Sequence, residues 1–186
     1  LPAIRYATNM LVCGEDLGMV PASVPDVMRR LSLLSLIIQR MPNDSGVEFA
    51  ELWRAPYLSV CSPSSHDTSG LREWWEEDRA ATQRFFNDVL GEKGEAPAAC
   101  EPWIVGRIIQ QHLSAPSMWA VFPIQDLLAM DKTLRYANHK EERINLPANP
   151  KHYWRYRMHL PMEELIRQKK FNDELRNMVV NENRLV

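Results

Sequence analysis

The sequence predicts an α/β domain built on a parallel sheet, and three observations point there. Four short apolar runs, at residues 10–13 (MLVC), 33–38 (LLSLII), 57–61 (YLSVC) and 118–122 (MWAVF), show no clean polar/apolar alternation. Strands buried on both faces read in that way. Helical patterns separate the runs, and strand–helix–strand order builds βα units. The first three runs recur at intervals of roughly 24 residues, room for one strand and one helix.

Each intervening element has its own signal. Ser23, with Asp26 three residues on, reads as an N-cap leading into VMRRL. Ser69 is the expected cap of GLREWWEED. Ala81, Phe85, Phe86 and Val89 fall on one helical face that Gly91 stops. The fourth strand is delayed by this extra helical insertion, around residues 78–100, whose GEKGEAPAA reads as a surface loop. Trp103, Val105, Ile108, Ile109 and Leu113 predict a largely buried helix that Pro116 keeps from continuing. βα units are therefore expected over 1–130. Residues 131–186 are expected as an irregular wrap and a terminal amphipathic helix carrying Phe171, Leu175, Met178 and Val179 on one stripe.

Composition narrows the function classes. The 186 residues are 45% hydrophobic and 25% charged, with a net charge of −2 and both signs interspersed. No basic face advertises nucleic acid or an anionic membrane. No apolar run nears the roughly 20 residues needed to cross a bilayer, and no signal peptide is visible, so the expected compartment is cytoplasmic. The three cysteines form no disulfide framework and no Cys-x-x-Cys pair; Cys13 and Cys61 are expected as small buried thiols. Asn43-Asp44-Ser45 matches a glycosylation sequon of a kind that arises often by chance. The five histidines lack metal-ligand spacing, and no phosphate-binding glycine loop or Gly-x-Ser-x-Gly elbow occurs. No metal or cofactor is expected. Lys151, Arg155 and Arg157 interleave with Tyr153, Trp154 and Tyr156, a single-strand-binding pattern that the acidic balance of the chain argues against.

Acids mark the strand ends. Glu15 and Asp16 follow the first run and Asp67 follows the third, where parallel α/β folds gather their active sites. Paired carboxylates suit glycosidic bond chemistry, one protonating the leaving oxygen and others stabilising an oxocarbenium-like centre. Such acids also serve as caps of the following helix, and both readings stay open. Gly14 and Gly18 around Glu15 allow unusual backbone or close approach. His66 beside Asp67 suits a substrate hydroxyl, though a dipeptide is slight evidence. Of the six tryptophans, Trp74, Trp75 and Trp103 fit helix faces and are expected in the core, whereas Trp53 and Trp154 are candidate sugar platforms.

The stretches CGEDLGMVP, YLSVCSPSSHDTSGLREWWEE, FPIQDLLAM, ERINLP and YWRYRMH occur in an order that resembles the 4-α-glucanotransferases of glycoside hydrolase family 77, the amylomaltases or disproportionating enzymes. The resemblance runs from about residue 9 to the C-terminus, and SLIIQRMP with the Trp-Trp-Glu-Glu run is closest to the larger, plant-cytosolic type. It implies a (β/α)₈ barrel and a retaining mechanism on maltose, maltodextrins or branched α-glucan. It further implies Glu15 as general acid/base, Asp67 as transition-state stabiliser, His66 on sugar hydroxyls and Asn145 near the substrate. Thr68 and Ser69 stand where many members carry acidic or Asn residues, so that part of the sugar subsite departs from the pattern.

The family's nucleophile is an Asp in an Arg-x-Asp motif on the preceding strand, and residues 1–8 contain no acid. With Leu1 in place of an initiator Met, the expectation is the C-terminal half of a TIM barrel, about four parallel strands with helices plus the wrap, inactive alone and open to self-association. An α-glucan hydrolase of the α-amylase clan and a non-catalytic glucan-binding or assembly domain are the alternative readings.

Overall fold

A computed structural model describes residues 1–18, 20–43 and 46–184 as a mixed α/β fold with a small parallel sheet. The chain divides into two compact units, residues 1–63 with 114–121, and residues 64–113 with 122–186.

The first unit holds the sheet. Its strands are β1 (Ser35–Ile38), β2 (Ser59–Ser62) and β3 (Trp119–Ala120), in the order β1-β2-β3. All pairs are parallel, with Ser35 opposite Ser59 and Val60 opposite Trp119. Three of the four expected strands are thus present in shortened form. The run at 10–13 is not a full strand: Cys13 makes a single parallel bridge to Leu34. There the Gly14 N–H donates to the Leu34 carbonyl at 2.8 Å and the Leu34 N–H to Val12 at 2.9 Å. Met10 and Leu11 are exposed, as is Cys13. An apolar run becomes a strand only where a partner edge and cover on its faces coincide, and here only residues 12–14 reach a partner. The buried-thiol expectation holds for Cys61 and fails for Cys13. Under the sheet, Leu52, Cys61 and Ala115 pack with Ile37 and Ala120.

Helix α1 (Pro2–Tyr6) precedes the sheet and was not foreseen; α2 (Val24–Arg30) starts after Ser23 as expected, but the Ser23 side chain makes no capping hydrogen bond and Asp26 pairs instead with Arg29 at 2.7 Å. Trp53 lies in a single 3₁₀ turn, Leu52–Arg54, and is exposed, with the Arg54 guanidinium 4.5 Å over its ring. Of the sequon, Asp44 and Ser45 lie outside the described residues.

The second unit is mostly helical. It contains α3 (Leu71–Glu77), α4 (Arg79–Arg84), α5 (Pro102–Leu113), α6 (Ile124–Leu128), α7 (Met162–Arg167) and α8 (Lys169–Asn181). Trp75 is fully buried, meets Phe85 and Phe86 edge-on, and donates its indole N–H to the Pro97 carbonyl at 2.8 Å. Asp78 caps α4 through the N–H groups of Ala80 and Ala81. The helix then widens into one π turn, Phe85–Val89, and ends where Gly91 adopts a φ of +70°. The GEKGEAPAA loop is held down: Arg79 donates to the Ala96 and Pro97 carbonyls, and Gln83 bridges Gly94 and Ala96.

Two expectations are corrected here. Ser69 is not the cap of α3. Gly70 takes that position, and the orphan N–H of Leu71 is satisfied by the Asp126 carboxylate at 2.8 Å, from 55 residues along the chain. Trp103 is exposed rather than core, because α5 buries the stripe of Ile104, Val105, Ile108, Ile109 and Leu113 and turns Trp103 off it. At the C-terminal end Phe171 of α8 closes a cluster with Leu128 and Leu134. Among the described residues, no helix is long and apolar enough to cross a membrane, and no group of three His, Cys, Asp or Glu side chains is placed to hold a metal.

Candidate active site

In the first unit the two neighbouring acids have different fates. The Asp16 carboxylate is buried and accepts from the Ser35 hydroxyl and from the Leu36 N–H, the latter at 2.8 Å. It therefore ties the 14–16 segment to the start of β1. On the other side Gly14 is fixed to Leu34 through its backbone. A Cβ at Gly14 would come within 2.7 Å of the Met28 methyl group, so the close approach expected from this glycine is real. Glu15, between two anchored neighbours, is exposed and has no hydrogen-bond or ion-pair partner among the described residues.

In the second unit, four expected site residues converge. His66 and Asp67 sit in the loop that follows β2, in a turn closed by Ser65 and Thr68: the Ser65 N–H donates to the Thr68 hydroxyl at 2.9 Å and the Thr68 N–H to the Ser65 carbonyl at 3.2 Å. Asn145 arrives from the irregular wrap. Its side-chain amide donates to Asp67 Oδ1 at 2.5 Å, and its backbone N–H donates to the His66 carbonyl at 3.2 Å. The other Asp67 oxygen lies 3.2 Å from His66 Nε2. The exposed Trp154 ring is centred 5.0 Å from the His66 ring and tilted 43° to it. The carboxylate is thus oriented from both sides and remains partly accessible.

The wrap is held in place by turns and buried charge. Around Asn149 the chain doubles back, the Asn149 N–H donating to Leu146 and the His152 N–H to Asn149, while His152 Nε2 sits 3.0 Å from the Ile144 carbonyl. That reversal returns Trp154 towards His66. Upstream, Arg72 of α3 reaches the Tyr136 carbonyl at 2.7 Å and Glu142 at 3.1 Å. Arg143 lies 3.5 Å from Glu73 and 4.0 Å from Glu77 of the same helix. Burial pushes the Glu142 carboxyl up to about 7, with the Asp126 carboxylate adding to the rise and Arg72 opposing it. Burial also raises Glu73, against the pull of Arg143. Sequence reading missed these supports. One signal was available: Arg72 stands between Leu71 and Trp75 on the apolar stripe of α3, an unusual place for a guanidinium without a partner.

The sequence model of a family described as 4-alpha-glucanotransferase, glycoside hydrolase family 77, matches residues 3–163. The chain belongs to this 4-alpha-glucanotransferase family. It is 45% identical over 184 residues to the 4-alpha-glucanotransferase DPE2 of Oryza sativa subsp. japonica, covering 99% of this chain and 20% of that protein. It is 31% identical over 182 residues to the 4-alpha-glucanotransferase of Chlamydia caviae, covering 92% of this chain and 32% of the relative. An amylomaltase from Streptococcus agalactiae, solved in complex with acarbose, shares the fold with a TM-score of 0.72 at 15% identity over 97% of this chain and 34% of its own. The chain therefore spans a fifth to a third of the length of these relatives.

Proposed function

We propose that this chain supplies the acid/base and the transition-state stabiliser of a retaining 4-α-glucanotransferase that moves glucosyl or maltooligosyl units between α-1,4-glucans. Glu15 protonates the glycosidic oxygen as the leaving sugar departs, then takes the proton from the 4-hydroxyl of the acceptor. Asp67 stabilises the positive charge that develops at the anomeric centre. His66 holds a sugar hydroxyl, Trp154 offers a stacking face, and Asn145 keeps Asp67 in register. One observation carries the reading: His66, Asp67, Asn145 and Trp154, scattered in sequence, come together around one oriented and accessible carboxylate. Glu15, held between anchored neighbours and without a partner among the described residues, supports it.

The sheet order supports a barrel origin. Cys13, β1, β2 and β3 lie side by side in sequence order and run parallel, as consecutive strands of a (β/α)₈ barrel do; residues 1–186 then form the C-terminal part of one catalytic domain. The attacking carboxylate is not among residues 1–8, and a retaining mechanism places it about 5 Å from the acid/base. The isolated 186 residues are accordingly inactive, and the exposed Met10, Leu11 and Val121 favour self-association. Three cysteines without a disulfide accord with the cytoplasm.

Product analysis on maltotriose tests the reaction. In the full-length protein, longer oligosaccharides mean transfer, while glucose and maltose alone mean hydrolysis. Glu15→Gln should lower turnover by about a thousandfold or more with the fold intact. An unchanged rate removes Glu15 from the mechanism.

A further inference from the structure

A second concave site lies in the wrap. A groove of about 550 Å³ is lined by Lys140, Arg143, Lys151, Arg155 and Arg157, with Tyr153 and Tyr156 between them. Its one acid is Glu141, which is engaged with the Tyr136 hydroxyl at 3.0 Å and the Asn138 amide at 3.1 Å. Arg143 is engaged with α3. Lys140 faces Glu73 of α3; Lys151, Arg155 and Arg157 have no acidic partner among the described residues, and Arg155 instead lies 5.3 Å over the Tyr153 ring. Three cations without an acidic partner among the described residues, around one concavity, raise the local positive potential in a chain whose net charge is −2.

We propose that this groove binds a phosphate monoester carried on a sugar. Guanidinium forks and lysine ammonium groups match the oxygens of a phosphate. The Tyr153 and Tyr156 rings match the apolar face of a pyranose. Burial, reinforced by Glu142, raises the Tyr156 phenol, so it stays a neutral donor. The volume suits one or two sugar units. A polyanion fits less well, because the same neighbourhood carries Glu73, Glu76 and Glu77 on α3, held by Arg143 and His139. Trp154 stands between two groove residues in sequence yet is placed against His66. The segment at 151–157 thus walls both the groove and the candidate sugar site, and a phosphate on a glucan chain or on a free small sugar satisfies the same cations.

Titration calorimetry of the full chain at low salt tests this, with glucose 6-phosphate, a phosphorylated maltodextrin, unphosphorylated glucose and a single-stranded RNA oligonucleotide as probes. Glucose 6-phosphate should bind and glucose should not, and inorganic phosphate should compete. Lys151→Ala and Arg157→Ala should each weaken binding about fivefold, Arg157→Lys less, and the double variant by more than tenfold. Lys93→Ala, outside the groove, should change nothing. Tighter binding of the phosphorylated dextrin, abolished by Trp154→Ala, assigns the phosphate to a glucan; equal binding assigns it to a free sugar phosphate. The proposal is overturned if glucose 6-phosphate does not bind, if the folded double variant binds it as the parent does, or if the oligonucleotide binds more tightly. None of these readouts depends on transferase activity.

Discussion

Asn145 donates its side-chain amide to Asp67 at 2.5 Å, joining residues 78 positions apart. The bond fixes the plane of the carboxylate, since the second oxygen is already turned to His66. An amide fits this place because it donates without bringing a competing charge. In the full-length protein, Asn145→Ala should lower kcat about 10- to 100-fold while KM moves much less. A change confined to KM would show that Asn145 touches substrate and does not position Asp67.

Trp154 presents its ring beside His66. Trp154→Ala should raise KM for maltodextrins about tenfold, the loss expected for one stacked ring, and Trp154→Phe should recover most of it. Equal KM values for the Trp and Ala proteins would remove the stacking role.

Asp126 caps α3 from a distant part of the chain. Asp126→Ala leaves the Leu71 N–H buried without its acceptor and should lower stability by about 1–3 kcal/mol, read as a shifted denaturant midpoint. Asp126→Asn keeps an acceptor oxygen and should lose less. If both variants match the parent, the cap has no energetic weight.

Glu142 predicts a pH dependence of known sign. Its folded-state value, near 7, lies above the 4.5 of an ordinary glutamate. Between those values the folded chain binds more protons than the unfolded chain, so this group's contribution to stability falls as pH rises from 4.5 to 7. Glu142→Gln removes the titration. Its thermal midpoint should therefore gain on the parent's as pH rises from about 5 to 7.5. Parallel curves for the two proteins would show that Glu142 is ionised throughout.

Much of the frame could be read from local pattern. Runs 33–38 and 57–61 bury Leu33, Leu34, Ile38 and Cys61, so burial and strand formation point the same way there, whereas run 118–122 pairs as a strand although Trp119 and Val121 stay exposed. The run at 10–13 has the same composition but only a one-residue bridge, and composition does not encode a partner edge. Met10, Leu11 and Cys13 stayed exposed for that reason. Trp103 misled because a helical stripe has a boundary that a list of apolar positions does not reveal. At the candidate site, His66, Asp67 and Asn145 were suggested by motif order, yet their mutual contacts come from tertiary approach. The Asp126 cap and the Arg72–Glu142 pair join residues 55 and 70 positions apart, a range over which spacing rules are silent.

The wrap has almost no backbone ladder of its own. It is retained on α3 through Glu142 against Arg72 and Arg143 against Glu73, and α3 is itself started by Asp126. Segments fastened in this way open together, as cooperative units below the global unfolding free energy. The candidate sugar site and the cationic groove share the segment at 151–157. Their amides should accordingly exchange with solvent in one common opening, while those around Trp75 stay closed. Loosening a single buried charge on α3 would release both surfaces in one event.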